Sequence, residues 1–377
     1  MNLARVFRLP EQVPLFGRTF SIYFILGHAN LVLSLIINLG LCAHIGLSYV
    51  VCVSLYIVAL LAFYGLAFIS KALLGYEHYV LLRYSLAVNI VLAIMLWYVT
   101  ISANEYWHYL DLFAIALALM IAIGRIGCQT VGCCHGKPCN WRFYTAYSFK
   151  NVSHKPVVRF VPIQLIESCF AFFLAALGIF YKLTNADAGV FFIVFWVLYA
   201  IGRYIFEFYR GDPDRPYWKG FSEAQWLCTG ILGGIFLLQY WHTLSLVWWG
   251  ISVVVVCIHC LVLFYRIIYQ TAFYRLLEPI HLMEFSQKAL QSKQGKEVET
   301  TSQKIKVSCT ALGADQCLYT LSHVDRVLPR RWAKRLFKHL QYTAHPARPT
   351  KIEYYNQGVY HLIVLPQKTE ASQAQTT

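Results

Sequence analysis

The sequence predicts an all-α polytopic membrane protein of about seven to eight transmembrane helices, followed by a small α+β soluble domain. Three observations predict it. Of 377 residues, 58% are hydrophobic and 13% charged, where soluble domains carry about 25% charged residues. The apolar residues come in long unbroken blocks rather than at the spacing of a half-buried surface. After the last block the pattern turns polar, with short alternating runs and one amphipathic helix.

Apolar segments suited to spanning lie at 20–43, 47–69, 85–103, 110–127, 163–182, 189–208, 224–240 and 245–268. The stretch before the first carries Arg5, Arg8 and Arg18 and leads into a full-length span, so it reads as a tail rather than a cleavable leader. Basic residues sort by loop: three in the N-terminal tail, two in 70–84, six in 125–162 and four in 203–223. The alternate loops hold only Lys182. By the positive-inside rule the basic loops and both termini face the cytoplasm.

The formal net charge is +14. Half of it lies in the tail from Gln270, which holds fifteen Lys/Arg and eight Asp/Glu. On a membrane protein this favours anionic lipid as a partner. No zinc-finger or RNA-binding signature is present, so nucleic acid is excluded as a partner class. The division expected is a membrane domain over 1–268, a linker over 269–302, a small α+β domain over 303–368 and a disordered end over 369–377. Within the small domain, 304–321 reads as two strands about Gly313, 329–342 as an amphipathic helix, and 351–356 with 359–365 as a hairpin.

Chemistry concentrates in Gly124-Arg125-Ile126-Gly127-Cys128-Gln129-Thr130-Val131-Gly132-Cys133-Cys134-His135-Gly136-Lys137-Pro138-Cys139. An arginine ending an apolar helix is costly unless an anion meets it, and its fork matches a phosphate. Gly124 and Gly127 beside it allow close backbone approach. The reading is a membrane-level pocket for an anionic headgroup. Further polar residues stand inside apolar segments: Gln164 and Glu167 opening one, Arg203 and Glu207 closing the next, with Arg210 beyond. Arg203 and Glu207 are four apart and share a helix face, so they pair. The four cysteines are spaced Cys-x4-Cys-Cys-x4-Cys. A soft-metal or redox site is the competing reading, but the spacing matches no zinc pattern, so neither metal nor cofactor is expected.

These segments resemble the prolipoprotein diacylglyceryl transferase family. Gly124-Arg125-Ile126-Gly127 after Leu110-Asp111-Leu112-Phe113-Ala114 looks like its signature. Pro162-Ile163-Gln164-Leu165-Ile166-Glu167 is similar to its Pro-x-Gln-Leu-Tyr-Glu segment. Arg203 to Arg210 with Asp212-Pro213-Asp214 resembles its Arg-x-x-x-Glu-Phe-x-Arg-x-Pro-Asp segment, and Ser222 to Leu227 its Thr-x-Gly-Gln-x-Leu-Ser start of a later span. The four occur in the family's order over about 105–240.

The resemblance implies a bacterial inner-membrane enzyme that moves a diacylglyceryl group from phosphatidylglycerol, or another anionic phospholipid, to a protein thiol. It implies Arg125, Arg203, Glu207 and His78 as catalytic, and Gly124, Gly127, Gln164, Glu167, Arg210 and Lys137 as substrate-binding. The sequence also departs from the family. Cys128 and Val131 replace two asparagines, and Cys133 stands where an acidic residue is expected. The upstream His-Gly-Gly segment is absent, leaving His78 in its region. The family's signature loop lies on the outer face, whereas the charge count places it inside. The alternative is a catalytically divergent lipid-binding or cysteine-rich thiol or metal protein.

Overall fold

The computed structural model describes residues 12–15, 18–74, 81–99, 102–141, 143–147, 158–184, 187–212, 215–239, 246–268, 272–295, 297–312, 316–344, 350–354 and 358–365. A short hairpin, β1 (Gln12–Leu15) and β2 (Arg18–Ser21), leads into α1 (Ile22–Ile45). Then come α2 (Tyr49–Leu74), α3 (Leu81–Val99) and α4 (Ala103–Val131). The paired strands β3 (Thr145–Tyr147) and β4 (Val158–Phe160) precede α5 (Ile163–Leu183) and α6 (Val190–Phe206). A tight hairpin, β5 (Tyr217–Trp218) and β6 (Phe221–Ser222), turns the chain into α7 (Glu223–Gln239) and α8 (Leu246–Ile268).

These eight helices coincide with the eight apolar segments read from the sequence. Four of them, α1, α2, α4 and α5, are long and apolar enough to cross a membrane; α3, α6 and α8 are shorter apolar helices over their described residues. Large apolar side chains such as Ile36, Leu61, Phe68 and Trp97 face outward. That is the surface expected of helices solvated by lipid rather than water.

Helix α4 is the axis of this part. Its N-terminus is signalled locally: the Ser102 hydroxyl accepts from the Glu105 N–H at 3.2 Å. It packs against α1, α3, α5 and α6, with Ala114, Ala118 and Ala122 fully buried along it. Small residues let backbones approach closely where no hydrophobic drive separates protein from solvent. The Ser168 hydroxyl of α5 donates to the Ala122 carbonyl at 2.8 Å, and the Asn38 amide of α1 donates to the Leu112 carbonyl at 2.9 Å. Asn38 therefore ties two helices together, as a polar residue in a span is expected to do.

Lys182 pairs with Asp111 in this core, both almost fully buried. Asp111 also accepts the Gly189 N–H at 2.8 Å and the Phe192 N–H at 2.7 Å. It thereby caps the N-terminus of α6, where donors lack intrahelical partners. The loop-facing reading of Lys182 gives way to a buried one because its carboxylate partner comes from a helix distant in sequence.

Past α8, a 3-10 turn (Ala272–Leu277) leads into α9 (Pro279–Gly295). Most of the expected linker is thus helical. It is amphipathic enough to bury Leu282, Phe285 and Ala289 in the tail core. The rest is one antiparallel sheet: β7 (Glu299–Thr300), β8 (Ile305–Ala311), β9 (Cys317–His323), β10 (Thr350–Tyr354) and β11 (Tyr360–Val364), in the order β10-β11-β9-β8-β7. Alternate residues Ile305, Val307, Tyr319, Leu321, Leu362 and Val364 are buried, the period of two that a one-sided sheet requires. Helix α10 (Arg330–Ala344) lays Ala333, Leu336, Phe337 and Leu340 on the same core. Its apolar stripe is spent on the domain's own core, since a domain this small has few other residues to build one.

The Asp111–Lys182 pair gives a direct check on the core. Asp111→Ala leaves a buried ammonium unpaired and two helix-capping N–H groups without their acceptor. It is expected to cost about 3–5 kcal/mol, the range for breaking a buried pair. Asp111→Asn keeps an acceptor for the cap and is expected to cost less. Thermal unfolding in detergent checks the order of the two.

Candidate functional site

A strip of extended backbone, His135 to Cys139, assembles the site. On one side the Lys137 N–H donates to the Tyr209 carbonyl at 2.8 Å, and the Gly211 N–H to the His135 carbonyl at 3.0 Å. On the other, the Cys139 N–H donates to the Arg159 carbonyl at 2.9 Å, and the Val161 N–H to the Lys137 carbonyl at 3.0 Å. The strip therefore fastens the end of α6 to the start of α5 through main-chain bonds. Such an approach needs glycine: a Cβ at Gly136 would collide with the Val161 backbone, and one at Gly211 would reach the Gly136 backbone. This is the physical content of two glycines that the sequence alone leaves unexplained.

The strip brings four guanidinium groups together. Glu167, 4% exposed, pairs with the Arg125 Nε and accepts from the Arg203 Nη1 at 3.0 Å. The Arg203 Nη1 also meets the Glu207 Oε2 at 2.7 Å, the pair expected from their spacing. Arg215 pairs with Glu207 and sends its Nε to the Asp212 Oδ2 at 3.0 Å. Arg210 forks onto Asp212, its Nε at 3.0 Å from Oδ1 and its Nη2 at 2.8 Å from Oδ2. Arg125, Arg203, Arg210, Glu167 and Glu207 are all buried. Four arginines face three carboxylates, one positive charge more than the carboxylates balance, and the Cys134 sulfur lies close enough to Arg125 and Arg210 to feel their charge. A buried excess of that sign is costly by itself and is relieved by an anion.

The residues named from the sequence sort as follows. Arg125, Gln164, Glu167, Arg203, Glu207 and Arg210 converge here. Gln164 donates its amide to the Cys133 carbonyl at 2.9 Å. Gly127 lets the Tyr23 ring of α1 lie against α4, for a Cβ would stand 2.6 Å from it. Gly124 faces open space. His78 lies outside the described residues. Arg215 and Asp212 belong to the network, although the sequence marks them only as part of a turn after a helix. His259 of α8 is a further addition: buried, its Nδ1 is 3.0 Å from the Tyr204 hydroxyl and 3.2 Å from that of Thr229. A histidine in an apolar helix is the only signal that could have found it.

The four cysteines of the signature stretch do not stay together. Cys139 is buried with Val161 and Ile163. Cys128, Cys133 and Cys134 instead place their sulfurs within 4.8 Å of one another. The chain can double back because Gly132 (φ 79°) and Cys134 (φ 55°) are both left-handed. Hydrogen bonds from the two neighbouring thiols, then the charges of Arg210 and Arg125, hold the Cys134 thiol well below the usual thiol range.

Lys137 opens onto a cavity of about 500 Å³ between the strip and α10, lined also by Trp141, Tyr209, Arg335, Lys338 and His339. The tail domain therefore lies on the same side as the signature loop. Burial, then the charges of Arg215 and Arg335, lowers Lys137 to about 8. Burial and the Lys137 charge likewise push His339 down to about 4. Both shifts disfavour the cation, so the ammonium of Lys137 is present below about pH 8 and is lost above it.

Among known proteins, residues 86–241 match the family model described as prolipoprotein diacylglyceryl transferase. The chain is 37% identical over 132 residues to a phosphatidylglycerol–prolipoprotein diacylglyceryl transferase of Clostridium tetani, covering 34% of this chain and 52% of the relative. It is 32% identical over 140 residues to one of Clostridium perfringens, covering 36% and 54%. A relative from Aliarcobacter butzleri is 26% identical over 138 residues, covering 36% and 46%. The chain thus spans about half the length of the curated relatives it matches. The matched region runs from α3 to the end of α7 and contains every residue of the arginine network.

Lys137 carries the prediction of this site. Its amine is expected to titrate near pH 8, read by carbon NMR of the methylated lysine. Arg335→Met removes one of the opposing charges and should move that midpoint upward. Burial persists, so it stays below the ordinary lysine value of about 10.4. A midpoint already at the ordinary value in the unaltered protein would contradict the buried placement. Over residues 86–241 this chain is similar to the prolipoprotein diacylglyceryl transferase family.

Proposed function

We propose that the chain is a membrane transferase that moves a diacylglyceryl group from phosphatidylglycerol to a thiol, such as the cysteine of a prolipoprotein. The observation that carries it is the buried arginine network with one positive charge in excess. Arg125 and Arg203 hold the lipid phosphate, and Glu167 and Glu207 keep their guanidinium planes aimed. Gly124, with open space beside it, admits the headgroup. Gln164 and Arg210 fix the loop around the site, and Lys137 adds positive charge at its rim. The acceptor's sulfur attacks the glyceryl carbon next to the phosphate oxygen. That C–O bond breaks, and its electron pair leaves on glycerol phosphate. The guanidinium groups are worth most as charge builds on the departing oxygen in a water-poor site.

The placement in the cell follows the same reading. The eight helices are eight spans of a bacterial inner-membrane protein, the membrane domain covers 1–268, and the basic loops with the C-terminal domain face the cytoplasm. His78 is retained as a catalytic candidate on the resemblance alone.

The test is transfer itself. The purified full-length chain is incubated in vesicles of labelled phosphatidylglycerol with a peptide bearing one cysteine, and mass spectrometry reads the peptide. A diacylglyceryl gain on the cysteine peptide and none on its serine version is expected. Arg125→Ala or Arg203→Ala should cost about 2–5 kcal/mol, the range for removing one partner of a desolvated charge pair. Arg→Lys should fail too, because an ammonium cannot make the two-pronged contact. Undiminished transfer by the doubly substituted protein would remove the reading.

A further inference from the structure

Three thiols beside the arginine network have no role in the transfer as described above. The Sγ atoms of Cys128, Cys133 and Cys134 lie within 4.8 Å of one another, and all three are free thiols. Sulfurs bound tetrahedrally to one zinc at about 2.3 Å stand roughly 3.8 Å apart. The trio is therefore about an ångström from closing on an ion. The supporting loop is held without one: Gln164 grips the Cys133 carbonyl at 2.9 Å, the Thr130 hydroxyl donates to the Gly127 carbonyl at 2.8 Å, and the Gly132 N–H closes onto the Cys128 carbonyl at 3.0 Å. Cys133 follows the left-handed Gly132 and Cys134 is itself left-handed, which turns the chain back toward the helix end.

The donor set decides the ion. Thiolate ligands select soft or borderline ions. Among the described residues no fourth histidine, cysteine or carboxylate joins the group. Three protein ligands with one open position are the arrangement of a catalytic zinc, whereas structural zinc is closed by four. Charge agrees as well. Zinc with three thiolates carries one negative charge, the same charge that a single Cys134 thiolate would place beside the arginines, so the ion adds no unbalanced charge.

We infer that Cys128, Cys133 and Cys134 bind one Zn²⁺, and that its open position takes and deprotonates the acceptor thiol. The inference rests on the transferase reading for what the site is for, but not for whether the site exists. A free cysteine is mostly protonated at neutral pH, and thiolate is the nucleophile; coordination to zinc removes the proton outright. In this step the acceptor's S–H proton goes to solvent as sulfur binds the metal. The bound sulfur then forms the S–C bond to the glyceryl carbon. The C–O bond breaks with its electron pair passing to the phosphate oxygen beside Arg125 and Arg203. The thioether formed is a weaker ligand and leaves the metal. Zinc changes no oxidation state, so no oxidant or reductant is needed. Arg125 and Cys128 are three residues apart on α4, so their Cβ atoms lie about 5–6 Å apart. One helical turn thus carries both the phosphate cation and a ligand of the nucleophile's metal.

The experiment uses the full-length chain purified in detergent from zinc-supplemented cells. Elemental analysis is expected to find about one zinc per chain. Cys133→Ser with Cys134→Ser should lose it, while Cys139→Ser, outside the trio, should keep it. Stripping the unaltered protein with a chelator and titrating Co²⁺ avoids reliance on variants that fail to fold. A thiolate-to-cobalt charge-transfer band should saturate at one equivalent, and the single-cysteine peptide, not its serine version, should shift the ligand-field bands. Zinc content unchanged by the double substitution, or a cobalt spectrum unmoved by the peptide, would overturn the inference. The two readings fail separately. Zinc and peptide thiol bound with no lipid transfer upholds the site and removes the transferase. Full transfer by metal-free protein upholds the transferase and removes the metal's part in activating the acceptor thiol.

Discussion

The bond set of Glu167 is the constraint on which the rest of the membrane part depends. One carboxylate on α5 is shared by an arginine on α4 and another on α6. Three helices are thus held by a charge that cannot be removed without stranding the Arg125 guanidinium and leaving Arg203 on Glu207 alone. Hydrophobic packing cannot supply such a lock, because lipid is as apolar as the helix faces. The network instead fixes which faces of α4, α5 and α6 meet. Its cost is offset only because every member has partners: Glu207 and Asp212 complete the arginines that Glu167 does not reach.

Main-chain geometry does the remaining assembly. The His135–Cys139 strip lies between Tyr209–Gly211 and Arg159–Val161 as a strand would, although only isolated bridges form. Gly211 lies so close to the Gly136 backbone, and Gly136 to that of Val161, that neither admits a side chain. The strip also carries Lys137 out of the network and onto the tail domain, where Arg335 and His339 sense its charge. The tail therefore lies close enough to the loop that closes the arginine cluster for their like charges to oppose one another.

Much of this is legible in the sequence where the signal is local. The eight apolar blocks, the Arg203–Glu207 pair at one helical turn, the strands about Gly313 and the helix after Pro329 all follow from period or spacing. What is not legible depends on contacts between distant residues. Asp111 and Lys182 are ordinary charges until α4 and α5 set them side by side. Asp212 and Arg215 look like turn residues until Asp212 meets Arg210 and Arg215 meets Glu207. Residues 279–295 read as linker because their composition is polar, yet Leu282, Phe285 and Ala289 are spaced to bury one face. The grouping of three cysteines is hidden for a related reason. Ligand spacing rules assume regular turns, and two left-handed residues bring positions 128, 133 and 134 together instead.

The divergence of the signature can then be read as one substitution of chemistry rather than several losses. Where the sequence gives up two asparagines and an acidic residue, it gains three thiols at the end of the helix that carries Arg125. Neutral amides stabilise a developing charge by donating hydrogen bonds; thiols gathered on a cation would act earlier, on the nucleophile. The arginine network, to which the transferase reading assigns the leaving phosphate, is intact. A displacement at carbon needs both ends managed, with sulfur and departing oxygen on opposite sides of the same atom. On α4 the two functions stand one turn apart, so a rigid helix, rather than a loop, sets the distance between them.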